Sequence, residues 1–393
     1  LINESGARGV VWNRRYEPDT IEREKGIKSE LRGRGLEVES FNSLLLFEPW
    51  EISTKEGSPY RVYTPFSKTC FARGVTRKLF PAPELPPCSS FNSLEISDLG
   101  LMPETDWTGG INEVWVPGEP GAKIALSSFL EAAVQVYDEE RNRPDRPATS
   151  RLSPHLHFGE ISPLQIWYAL DELNLPDDQA GILTYRKELL WREFAYHLLY
   201  YYPFTAFEPL RDEFKRFPWE MNRKLLKAWQ RGQTGYPIVD AGMRELWHTG
   251  WMHNRVRMIV ASFLVKDLLI PWQEGAKWFW DTLVDADLAS NTMGWQWTAG
   301  CGADAAPFFR IFNPTSQGER FDPNGDYVRR WVPELARLPA KYIHSPWAAP
   351  PIELRDAQIE LGKNYPAPIV DHSYARGRAL EALDSLKRPK EQN

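Results

Sequence analysis

Four stretches of this 393-residue chain gather the side chains that could do chemistry. Thr149-Ser150-Arg151-Leu152-Ser153, ahead of Pro154, packs three hydroxyls and a guanidinium into five residues just before a helix start. That set suits a phosphate or pyrophosphate, and it equally suits an ordinary helix cap. Glu188, Trp191 and Arg192 fall at i, i+3 and i+4 of a predicted helix and so share a face. An acid, an indole and a guanidinium side by side can bond a base edge, stack on it and hold a phosphate; they can also form an amphipathic boundary with an ion pair. In Gly250–Met258, Trp251, Asn254, Arg255 and Met258 make a stripe too polar for a core and too apolar for a solvated face, which points to a pocket wall. His253 falls a step round from that stripe, as a structural histidine would. The fourth stretch runs from Asp285-Ala286-Asp287 through Asn291, Trp295 and Trp297 to Asn313-Pro314. No His or Cys is spaced to complete a metal site with its two acids, so none is assigned. Such a pair instead accepts hydrogen bonds from hydroxyls, a ring N–H or an amino group, with the Asn291 amide close by.

The chain holds seventeen tryptophans, most of which serve as packing groups. Trp191, Trp219, Trp272, Trp295 and Trp297 differ in their company of Arg, Asp and Asn, where one-electron chemistry on a buried aromatic cofactor could use them.

The elements that must position these residues divide in three. Gly9–Asn13 and Gly35–Phe41 read as strands flanking a polar helix, Asp19–Gly33: the βαβ rhythm of a parallel sheet, but only its last part. Residues 1–66 are expected to be a partial α/β unit with strands missing upstream. Residues 67–120 are rich in Pro, Ser and Gly and read as an interdomain connector. Residues 121–393 are expected to be all-helical, with helices at 125–142, 163–173, 184–200, 242–269 and 275–283. The composition, 42% hydrophobic and 25% charged, is that of a soluble globular protein with a cytoplasmic home. No apolar run approaches a bilayer span. Three cysteines, Cys70, Cys88 and Cys301, provide no disulfide framework. A net charge of −6 excludes a uniformly basic coat, so any nucleic-acid contact must be focused.

The strings at 149–163, 187–197, 234–258 and 285–322 resemble the catalytic domain of the photolyase/cryptochrome family, and within it the microbial cyclobutane pyrimidine dimer photolyases. The resemblance spans roughly residues 8–385. It implies an α/β N-terminal portion, here a truncated parallel sheet, followed by a large all-helical FAD-binding domain. Active FAD would be the reduced form, and the substrate would be damaged DNA with a pyrimidine dimer, met by a monomer with no membrane partner. An antenna chromophore, folate or deazaflavin, belongs to the full-length family, and its presence here is left open.

Residue by residue, the resemblance assigns FAD to Tyr137, Thr149, Ser150, Arg151, Leu152, Ser153, Arg257, Asp285, Ala286, Asp287 and Asn291, with Asn291 facing the flavin N5. It assigns the flipped-out dimer to Glu188, Trp191, Asn254, Met258 and Trp297, and the DNA backbone to Arg192, Arg255, Arg310 and Gln317. Trp295, Trp272 and Trp219 match the chain that carries electrons from the surface to the photoexcited flavin. Asn at 291 favours repair over a cryptochrome-type photoreceptor. His253-Asn254, where (6-4) photolyases usually show two histidines, together with Trp297, disfavours that second alternative.

Overall fold

The computed structural model describes residues 2–84, 93–176, 179–305 and 309–387. Cys88, Pro86-Pro87 and Pro307-Phe308 lie outside the described residues. At the front, the strand Gly9–Asn13 pairs in parallel with Glu37–Phe41, Val11 opposite Glu39, and the helix Pro18–Gly33 connects them. This is the expected βαβ unit, with the second strand starting two residues later than predicted. Val38 and Ser40 point inward while Val11 and Phe41 are exposed.

The stretch from 67 onward is more ordered than its proline content suggests. A helix, Tyr63–Arg73, runs across the expected boundary at 66/67 and packs on the long helix Ala180–Tyr201 through Tyr63, Phe66 and Cys70. Two further helices, Gly109–Val114 and Glu119–Ala132, begin within 67–120.

The rest of the chain is helical, and its core is centred on the helices Pro237–Thr249, Asn254–Ser262, Trp272–Thr282 and Leu288–Ala299. Two predicted helices are broken. The 125–142 segment divides into Glu119–Ala132, a 3-10 turn at Val134–Val136 and Tyr137–Glu140. The 242–269 segment ends first at Gly250, whose φ of 67° closes the preceding helix in the left-handed conformation. It restarts at Asn254, after His253 caps the new helix by accepting the Arg255 N–H on Nδ1. Trp251 therefore does not share a helical stripe with Asn254, Arg255 and Met258; apolar periodicity carried across the break hid it. After Ser262 the helix widens into a π turn at Phe263–Asp267. Among the described residues no helix is long and apolar enough to cross a membrane, and no cluster of His, Cys, Asp and Glu could hold a metal ion.

Candidate active site

A cavity of about 160 Å3 opens between the helices 254–262, 272–282 and 288–299. Seven expected residues line it: Asn254, Arg257, Met258, Asp285, Asp287, Asn291 and Trp295. Ala261, Phe279 and Leu283 add apolar walls that the sequence reading missed. Phe279 carried a legible signal, since it follows Gly275 by one helical turn.

Each polar group is held by a partner from another element. Arg257 donates from Nη2 to Asp285 Oδ2 at 2.8 Å and from Nε to the Met252 carbonyl at 2.7 Å. Asp285 Oδ1 is buried without a partner, an acceptor aimed at nothing the chain supplies. Asp287 caps the 288–299 helix by accepting the Ser290 N–H at 2.7 Å, and its other oxygen accepts the Tyr196 hydroxyl. Asn291 donates from Nδ2 to the Ala276 carbonyl at 2.9 Å, which leaves its amide oxygen available. Ala286, half-buried between the two acids, donates its N–H to Leu283. A buried unpaired carboxylate oxygen, a paired guanidinium, a fixed amide and aromatic walls fit a polar-edged flat ring system.

Trp295 is 2% exposed and meets Phe279 and Trp229 edge to face at 5.0 and 6.2 Å. Gly275 makes room for it: a Cβ there would stand 2.0 Å from the indole. Trp272 is buried in the same core and Trp219 packs at its half-buried edge against Phe217, so burial falls from Trp295 to Trp219.

A second group forms along the helix 180–201. Glu188 accepts from Arg141 Nη1 at 2.6 Å, both half-buried. Tyr63 stacks on Trp191 at 3.6 Å between centroids and 6° between planes. Sequence reasoning missed both partners. Arg141 lies one turn beyond Tyr137 and could have been found by that spacing; Tyr63 sits in a distant segment with no local signal. Arg192 donates to the Leu44 carbonyl at 2.6 Å and lies over the Tyr196 ring, tying the helix to the segment after the second strand. Trp297 is half-buried with the exposed Arg310 guanidinium 5.6 Å from its ring centroid. Arg255 reaches Asn142 at 2.7 Å and Phe321, and the half-buried Gln317 keeps an unpartnered Oε1.

The hydroxyl-rich segment lies against the same helix. Tyr185 donates to Ser150 Oγ at 2.9 Å, Leu152 is buried and Ser153 exposed, and Thr149 is half-buried. Arg151 adopts a left-handed φ of 52° and stacks over Trp251 at 4.6 Å. Tyr137 is buried against Phe129 and Tyr185, and burial raises its phenol above the usual range. Burial, with Arg255, Arg257, Arg151 and Arg141 nearby, drives His253 down to about 3, so it is neutral at physiological pH.

Helices surrounding a polar-edged cavity, with buried tryptophans in its core and an indole–carboxylate cluster alongside, define a helical domain with a site for a flat, polar-edged ligand. Comparison with known proteins gives its family. Residues 1–86 match the family model described as DNA photolyase, and residues 185–385 match the FAD binding domain of DNA photolyase. The chain is 53% identical to a deoxyribodipyrimidine photo-lyase of Agrobacterium fabrum over 99% of its own length and 82% of the relative's. It is 40% identical to Cryptochrome-1 of Arabidopsis thaliana, covering 98% of this chain and 58% of that protein. The crystal structure of a bacterial class III photolyase from Agrobacterium tumefaciens superposes with a TM-score of 0.90 at 52% identity, over 99% of this chain and 81% of the other. The chain belongs to the DNA photolyase family, and its second matched region is an FAD-binding domain.

Proposed function

We propose that this protein is a light-driven repair enzyme for cyclobutane pyrimidine dimers in DNA, with FAD held at the 254–258 and 285–295 cavity. The observation that carries this reading is the unpartnered Asp285 oxygen beside Arg257, in a cavity that Asn291 and Trp295 also line, within an FAD-binding family match. When bound and reduced, FAD supplies upon illumination an electron that splits the cyclobutane ring and is then returned.

The chain's own residues bind, orient and exclude water. Asp285 and Arg257 hold the edge of the ring system, and Asp287, fixed by Tyr196 and Ser290, offers its lone pairs to hydroxyls. Asn291 keeps an amide directed by Ala276, a neutral donor and acceptor that suits an electron-rich ring. Ser150, Arg151 and Tyr137 form the candidate grip for the phosphates and ribityl chain. Trp191 and Trp297 offer π-faces to an extruded pyrimidine pair, and Asn254 and Met258, which line the ring cavity, meet it from that side. Glu188 bonds the base edge and stabilises charge that develops on the dimer, with Arg141 setting its position. Arg255, Arg310 and Gln317 supply backbone contacts, a local basic patch on an acidic chain. Trp295, Trp272 and Trp219 would relay electrons from an external reductant at the surface to an oxidised flavin. The same reading places an antenna-type α/β unit in 1–66 and the catalytic unit in 121–393, and describes a cytoplasmic monomer.

The decisive experiment illuminates the flavin-loaded, reduced protein with an oligonucleotide carrying one thymine dimer and a parallel oligonucleotide carrying a (6-4) lesion. Loss of the cyclobutane dimer alone is the expected result; an unchanged cyclobutane substrate refutes the proposal. Size-exclusion with light scattering checks the monomer.

A further inference from the structure

Away from the inner cavity beside Asn291, Trp191 is an indole that a distant segment of the chain holds in place. It projects half-buried from the helix 180–201, and the helix Tyr63–Arg73 lays its first residue flat against it. The two rings stand 3.6 Å apart at their centroids with planes 6° apart. Ring quadrupoles disfavour so direct an overlap and favour an offset or edge-to-face meeting at about 4.5–7 Å. Neighbouring rings follow that preference: Phe194 meets Tyr63 at 68° and Trp191 at 72°, and Phe66 meets Phe194 at 47°. Something other than ring–ring attraction therefore fixes the pair.

Tyr63 is 7% exposed, and its hydroxyl donates to the Lys187 carbonyl at 2.7 Å. In helical backbone that same carbonyl accepts the Trp191 N–H. The tip of the phenol is thus tied to the turn that carries Glu188 and Trp191, while Phe194 sets an edge against both rings. A phenol pinned in this way covers one face of the indole and leaves the opposite face for an incoming flat group. At Trp297 the group over the ring is the exposed Arg310 guanidinium, 5.6 Å from the centroid, which water can displace. Of the two indoles, Trp191 is the one whose plane is set before any guest arrives.

We propose that Tyr63 is a positioning residue for damaged-DNA recognition: by stacking on Trp191 it fixes the plane of that indole and reserves the opposite face for the extruded pyrimidine pair. This rests on the repair reading above and adds the residue that makes one side of the lesion pocket rigid. Tyr63 acts through Trp191 and not on the dimer itself. An indole already held in plane gives up little rotamer freedom when a lesion stacks on it, so more of the stacking energy appears as affinity. The role demands a flat side chain at 63, and the hydroxyl adds the tether to Lys187.

The test measures, by fluorescence anisotropy in the dark, the binding of one oligonucleotide with and without a thymine dimer to the flavin-loaded parent and to Tyr63→Phe, Tyr63→Leu and Tyr63→Met. Leu and Met fill the buried position without a flat face, so either reads the stack where the other folds poorly, and flavin content and Tm identify the folded variants. The aliphatic variants should bind dimer-containing DNA about fivefold to tenfold more weakly, with Tyr63→Phe within about twofold of the parent. Affinity for undamaged DNA should not change. In a Trp191→Ala background, Tyr63→Leu should have no further effect on binding, because the two act as one unit. Undiminished dimer preference in the aliphatic variants, an equal loss on undamaged DNA, or additive effects of the Tyr63 and Trp191 substitutions overturns the role assigned to Tyr63. Loss of flavin from both aliphatic variants makes Tyr63 a folding residue and overturns it equally. A parent with no preference for dimer-containing DNA refutes instead the repair reading, and the Tyr63 role falls with it.

Discussion

The inner cavity and the Glu188, Trp191 and Trp297 cluster, the proposed lesion side, share only the helix 288–299 and are held in different ways. Around Asp285, Asp287 and Asn291 each side chain is fixed by a partner drawn from the Arg257, Tyr196 and Ala276 elements, the carboxylates are buried, and the Asp285 Oδ1 acceptor is left open. Around Glu188, Trp191 and Trp297 the side chains are half-buried, and the links are an ion pair, a ring stack and a cation over a ring. A permanent guest rewards preorganisation, because ordering costs are met once during folding. A transient guest needs faces that water can occupy between visits and that yield to an incoming strand.

The sharpest way to break this contrast is Asp285→Ala. It strands the Arg257 guanidinium, should cost about 3 kcal/mol of stability, and should empty the site of flavin. Flavin absorbance per protein and a denaturant melt read both, and a flavin-replete variant would remove Asp285 from the grip. Gly275→Ala drives a methyl into Trp295 and should cost about 1–3 kcal/mol, seen as a lower Tm with slower flavin photoreduction. Trp295→Phe should slow photoreduction of oxidised flavin by about tenfold or more. Repair by chemically reduced protein should persist, and loss of both would place the indole elsewhere in the mechanism. On the lesion side, Glu188→Ala should lower repair per photon while damaged-DNA affinity in a filter assay changes little; the reverse order would make it a binding residue only.

The effect least tied to function is in the pH profile of a group belonging to neither region. Glu193 accepts the Leu46 and Phe47 N–H groups, and burial raises its carboxyl from 4.5 to about 7. A raised acid favours its protonated form when folded. Its stabilising contribution is full below pH 4.5 and fades as pH climbs through about 7. Glu193→Gln should therefore gain on the parent across that window, by about 3 kcal/mol at most, in urea melts at pH 5 and pH 7.5. Parallel curves would deny the shift.

The sequence reading recovered the strand pair at 9–13 and 37–41 because alternation and the helix between them are local signals. It also gathered seven residues of the inner cavity, since 254–258 and 285–295 are each a cap and the start of one helix in continuous text. It failed where partners come from afar. Tyr63 reaches Trp191 across more than a hundred residues, and the Leu44 carbonyl that holds Arg192 comes from as far away. Helical periodicity ran through 250–253 because a left-handed glycine and a histidine cap leave the apolar count nearly undisturbed.

The helix 180–201 carries Tyr185 against Ser150, Glu188 with Arg141, and Tyr196 against Asp287. From Glu188 to Tyr196 the axial rise is about 12 Å, set by backbone geometry alone. The rod thus acts as a ruler: the span between the Glu188 cluster and the Asp287 cap is graduated in peptide units, immune to rotamer changes at either end.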